Sequence, residues 1–166
     1  ETGINRTGHM VAMELRGDVP ATHRAVMWVS FGSGPFNAVA PFYANVLDTP
    51  AYLRDTPAEP STDSYYWSIR MIAAMADPHY IECSNAIEQY AEQVRSFGHR
   101  HVFDTDAALA GAGATDGMDA AATRLTEANE VMAAYLRERT VRLLADVLYT
   151  SSNLMRNSFA MSDRWV

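Results

Sequence analysis

The stretch from Met118 to about Asn153 most constrains what this chain can fold into. Leu125, Met132, Leu136, Leu143 and Val147 recur at steps of four and seven, so they share one face of a helix, while Arg124, Arg137 and Glu138 fall outside it. At about 1.5 Å per residue, an unbroken helix over this stretch runs roughly 50 Å. Such a helix must lay its stripe on a surface, in this chain or in another subunit. With 166 residues and 48% hydrophobic content, the chain can bury one sizeable core, and its length favours one domain over two.

Upstream, the pattern changes from a helical to an extended period. From His9 to Arg16, Val11, Met13 and Leu15 alternate with Met10 and Ala12, which suits a strand covered on both faces. A connector with Gly17, Asp18 and Pro20 leads to a second buried strand from Ala25 to Phe31. Gly32, Gly34 and Pro35 break that run, and the segment from Asn37 to Leu47 carries Pro41, which fits a sheet edge or a loop. Thr49 to Ser64, with Pro50, Pro57 and Pro60, is a surface connector.

The remainder is helical. Tyr65 to Ala76 is apolar nearly all round, as expected of a helix buried between layers. Asp77 before Pro78 suggests an N-cap and a first helical proline. Tyr80, Cys83, Ile87, Tyr90, Val94 and Phe97 then form an apolar stripe that Gly98 is placed to end. Ala107 to Gly117, rich in Ala and Gly, reads as a flexible connector; it lacks the strand and the Lys-Ser/Thr ending of a phosphate loop.

A formal charge of -7 argues against nucleic acid, whose binding proteins need a basic face. No run approaches the roughly 18 apolar residues of a membrane-spanning helix. One cysteine cannot form an internal disulfide and leaves the redox compartment open. Cys83 lies near His79 in the first turns of its helix, where a thiolate could be favoured, yet it also occupies the apolar stripe, and a small hydrophobic role is the stronger expectation. His99, His101, Asp104 and Asp106 have a metal-like composition, but nothing in their spacing closes a ligand set; a solvated loop is expected and no metal is assigned.

Three blocks in the first half carry a family resemblance: INRTGHMVAMEL, MWVSFGSGPFNAVAPFYANVLDTPAYL and YYWSIRMIAAMADPHY. Together they resemble the C-terminal part of the PepD-like cysteine dipeptidases, which are N-terminal-nucleophile hydrolases. The resemblance implies an α+β fold: residues 1–166 form the C-terminal part of one catalytic domain, with strands and connectors over 1–64 and mainly helices over 65–166. The strands would be late strands of an αββα sandwich. The implied activity is hydrolysis of a dipeptide by acyl transfer to an N-terminal cysteine that this chain does not hold, without cofactor or metal. The expected partners are the dipeptide, the N-terminal remainder of the same polypeptide, and further copies in a homo-oligomer.

Arg6 precedes an apolar strand, where its guanidinium offers a planar fork to a carboxylate. Related penicillin acylases and bile salt hydrolases carry an active-site arginine at the start of a comparable strand, so the resemblance implies a catalytic role for Arg6. Asn5 is a candidate for orienting substrate through its amide. Ser33 and Asn37, beside the glycine break, are candidates to line a pocket, with loop packing as the competing role. Two alternatives remain open: an amidase of N-acyl amino acids, and a non-enzymatic helical assembly module.

Overall fold

The computed structural model describes residues 7–111 and 118–155. Strands β1 (His9–Leu15), β2 (Ala25–Phe31) and β3 (Ala40–Tyr43) form an antiparallel sheet in the order β1-β2-β3. A 3-10 turn, Gly34–Phe36, links β2 to β3. Helices α1 (Ala51–Arg54), α2 (Tyr65–Ala76), α3 (Tyr80–Gly111) and α4 (Met118–Asn153) follow. The protein is therefore α+β, with a small sheet and long helices.

Antiparallel register places paired residues on the same face of the sheet. Ala12, Trp28 and Pro41 share one face, and Val11, Val29 and Ala40 the other. Pro41 sits on the edge strand, where a missing N–H is tolerated. Helix α3 presses its Gly98 against that proline: a Cβ at Gly98 would lie 2.6 Å from Pro41 Cδ. Gly98 is thus a point of close approach inside a continuous helix, not its end. The helix runs on to Gly111, and at Gly98 only glycine leaves room for the Pro41 ring.

The outer strand differs from expectation in burial. Val11, Met13 and Leu15 are 40%, 64% and 69% exposed, whereas Val26 and Val29 of β2 are buried. Among the described residues, the helices pack near β2 and β3 and leave most of β1 uncovered. The expected cover on both faces is absent there.

Around the junction of α2 and α3, Asp77 does not cap a new helix. Its backbone is helical, and Asp77–His79 form a 3-10 turn that carries α2 straight into α3. Proline at the second position of that turn costs no hydrogen bond that the tighter turn needs. The buried stripe of α3 is Cys83, Ile87, Tyr90 and Val94, with Phe97 stacked on Tyr135 of α4 at 3.8 Å between ring centroids.

Leu125, Met132, Leu136, Leu143 and Val147 of α4 are all buried, and α2, α3 and β3 of the same chain supply the surface they need. Asn129, also on α4, pairs with the outer edge of β3: its amide accepts from Tyr43 N–H at 2.9 Å and donates to Tyr43 C=O at 3.0 Å. No helix of the described residues is long and apolar enough to cross a membrane.

Candidate functional site

The end of the sheet at which β1 begins is locked by local geometry. Gly32 N–H donates to Gly8 C=O at 3.0 Å, which joins the entry to β1 to the exit from β2. Gly32 has a φ of +80°, and a Cβ there would sit 2.8 Å from Ile69 Cγ2 of α2. Glycine meets both demands, the left-handed backbone and the close helix.

Ser33 and Asn37 lie just beyond. Ser33 is buried at the head of the 3-10 turn and makes no capping hydrogen bond. Asn37 donates its amide to Phe31 C=O, while its Oδ1 accepts from Ala38 N–H at 2.7 Å and from the Tyr65 hydroxyl. The amide is consumed in holding the loop, so loop packing describes its polar atoms, and its remaining surface faces a cleft. Asn5 and Arg6 lie outside the described residues. Two of the four assigned residues are therefore placed, both at the end of the sheet where Gly8 leads into β1.

Behind Asn37, a row of buried hydroxyls fixes the loop to the helices. Thr140 donates to Leu136 C=O at 2.7 Å, so the 2.9 Å contact between Tyr90 and Thr140 has Tyr90 as donor. Burial drives both phenols well above their ordinary range: Tyr65 chiefly by desolvation and then by Tyr90, and Tyr90 chiefly by desolvation. Both stay neutral and serve as donors.

The cleft has a volume of about 530 Å³ and lies between α3 and the segment entering β3. Ala38, Val39, Ala91 and Trp28 give it apolar walls; Glu88, Glu92, Arg95 and His99 line its helical side. The Trp28 and His99 rings meet at a tilt of 46° with centroids 4.7 Å apart, and Trp28 donates its indole N–H to Glu14 at 2.8 Å.

The other candidates resolve as structural groups. Cys83 is 1% exposed, and burial, then Glu82, pushes its thiol pKa up, which opposes thiolate formation. His99, His101, Asp104 and Asp106 stand on helix α3 rather than in a loop, and they do not converge. His101 Nε2 donates to Ala128 C=O at 2.8 Å. Asp106 is bound by Arg16 and accepts from the Tyr43 hydroxyl at 2.8 Å.

That last cluster has no signal in the sequence. Arg16, at the end of β1, also donates to His23 C=O at 2.6 Å, and it stacks 5.8 Å from the centre of the Tyr43 ring. The partners Arg16 and Asp106 are 90 residues apart in the chain. Only the fold brings them together.

Comparison with known proteins places the chain. The sequence profile of peptidase family C69 matches residues 1–93, which span the sheet, the glycine break and the beginning of α3. The chain belongs to peptidase family C69. A dipeptidase of Bifidobacterium longum (strain NCC 2705) is 36% identical over 97% of this chain and 37% of its own length. A probable dipeptidase A of Streptococcus pyogenes serotype M18 is 36% identical over 97% of this chain and 32% of its own length. Dipeptidase A of Lactobacillus helveticus is 27% identical, again over 97% of this chain, and 33% of its own length. The chain thus spans about a third of the length of these relatives.

Proposed function

We propose that this chain is part of a cysteine dipeptidase that cleaves dipeptides by acyl transfer to an N-terminal cysteine lying in the part of its relatives' length that it does not span. The observation that carries this reading is the identity of 36% to a dipeptidase across nearly the whole chain. The burial of Cys83 supports it by removing the internal thiol as a nucleophile.

In this mechanism the free α-amine of the nucleophile is the general base, a role its ordinary pKa of about 7.7–8.0 suits near neutrality. The thiolate attacks the scissile carbonyl, and the tetrahedral oxyanion is stabilised by backbone or amide donors. The amine-bound proton passes to the leaving amine, and water then releases the acyl group. Arg6 polarises or orients the substrate through its fork, with Asn5 beside it. Ser33 and Asn37 hold the adjoining loop, whose position at the start of β1 is consistent with this role.

The domain assignment belongs to the same proposal. Residues 1–166 would be the C-terminal part of one catalytic domain with an αββα sandwich, and the exposed apolar face of β1 would be covered by the N-terminal remainder of the polypeptide. A homo-oligomer is part of this reading.

Arg6→Lys tests the mechanism in the full-length polypeptide. An ammonium keeps the charge and loses the planar fork. Losing a contact made in the transition state costs about 2–4 kcal/mol, roughly 30- to 1000-fold in kcat/KM on dipeptides. A near-wild-type kcat/KM in both Arg6→Lys and Arg6→Ala would remove Arg6 from the active site. Absence of dipeptide hydrolysis by the unmodified full-length protein would sink the functional reading.

A further inference from the structure

We propose that the outward face of α4 joins a second copy of this chain, helix against helix and antiparallel, about a two-fold axis midway between Arg139 and Thr140. This gives the homo-oligomer of the preceding reading a surface, and it does not depend on the dipeptidase activity.

Helix α4 carries a second apolar stripe besides the one that meets the core. Val131, Ala134, Glu138, Val141, Ala145 and Leu148 follow one another at alternating steps of three and four, and all six are exposed, Val131 at 53% and Leu148 at 52%. The side of a helix that faces water is ordinarily polar. Every exposed residue of α3 from Glu82 to Arg100 obeys that rule, whereas five of these six positions on α4 are apolar. A mean step of 3.5 residues is the period at which one helix keeps its seam against another. The occupant is therefore a helix.

The charges on this face select which helix. Glu138 interrupts the seam, and its own chain offers it Arg139 only at 3.9 Å. Arg142, one turn further along, has no hydrogen-bond or ion-pair partner among the described residues. Two copies packed in parallel would set Glu138 against Glu138 inside the seam. Packed antiparallel about the midpoint of the strip, each Glu138 meets Val141 and Arg142 of the other copy, so two reciprocal ion pairs form. The same register lays Ala134 against Ala145 and Val131 against Leu148, small on small and large on large. A slip of one heptad in either direction brings Arg142 or Arg137 against its own equivalent. The strip is thus complementary to itself, as a closed two-fold contact requires.

The contact is short. The strip runs about 26 Å along a helix about 10 Å wide, well below the roughly 800 Å² per partner of a standard interface. Copies therefore join weakly and reversibly through it, and covalent trapping is the suitable measurement.

The test uses the full-length polypeptide. Ala134→Cys and Ala145→Cys are made singly and together, and mild oxidation is followed by non-reducing electrophoresis. A disulfide needs Cβ atoms about 4 Å apart. In the antiparallel register positions 134 and 145 of opposite copies lie level, whereas each stands roughly 16 Å along the axis from its own equivalent. The expected result is a covalent dimer from the double variant and none from either single variant; the single variants also control for cysteines native to the polypeptide. In the double-cysteine background, Glu138→Arg should slow cross-linking about tenfold, as two exposed ion pairs are lost, and adding Arg142→Glu should restore the rate. Thermal melts check that every variant is folded. Efficient cross-linking of the single variants overturns the antiparallel axis, and a charge swap that fails to restore the rate overturns the register. No cross-link from the double variant overturns the proposal; new thiols shielded from maleimide would then assign the strip to another part of the same polypeptide. Dipeptide hydrolysis is scored separately on the same samples, and its absence defeats the proposed activity while leaving the interface standing.

Discussion

Burial and two charged residues, Asp106 and Arg16, decide the state of His23. Its ring is buried, which lowers its pKa; Asp106 acts in the opposite direction, and Arg16 lowers it again. The folded protein therefore holds this imidazole neutral below the point at which the unfolded chain takes up a proton. The unfolded state binds more protons in that window, so stability falls as pH drops below about 6.5 toward the lower folded value. Melting temperature should decline between about pH 7.5 and pH 5.5, and His23→Gln should flatten the decline. An unchanged slope in the variant would assign the pH response elsewhere. At this scale the sequence was legible where neighbours in a helical period define the surroundings, as for Cys83 in its stripe. It was silent for Arg16 and Asp106, because no local pattern announces a partner 90 residues away.

Helix α3 shows the same limit one level up. Its buried stripe follows directly from spacing, as do the bounds of α2 and α4, but its ends do not. Asp77-Pro78 and Gly98 have the chemistry of a start and a stop, yet a 3-10 turn carries the chain through the first and Gly98 packs on Pro41 within a continuous helix. The contact at Gly98 can be weighed. Alanine there gains about 1 kcal/mol in helix propensity, while a methyl group forced against the Pro41 ring costs about 1–3 kcal/mol. The ring is rigid and its strand is pinned by β2, so strain wins. Gly98→Ala should lower the denaturation midpoint; Gly111→Ala, with nothing within 4 Å of the new methyl, should not. A stabilised Gly98→Ala protein would mean that β3 gives way easily.

As a whole molecule, the chain buries its helices well and its first strand poorly. Exposed Val11, Met13 and Leu15 form an apolar row of the kind that drives association. Light scattering on this chain alone should show oligomers that grow with concentration, and Met13→Lys with Leu15→Lys should reduce them. A monomer at all concentrations that binds no hydrophobic dye would contradict this. Strand positions were readable from alternation, but their burial depended on what packs against each face, which alternation does not encode. The candidate site was readable only in part: Asn37 could be named from its place beside the glycines, while the charged face of α3 was hidden by the expectation that His99 followed the helix. The two edges of the sheet are also unequal. Asn129 occupies the hydrogen-bonding groups of Tyr43 on the β3 side, much as a chain terminator occupies the growing end of a polymer. Strand addition there would have to displace a buried amide, whereas β1 offers its backbone without such competition among the described residues. The sheet consequently has a direction of growth, from β3 toward β1, and a single side-chain amide sets it.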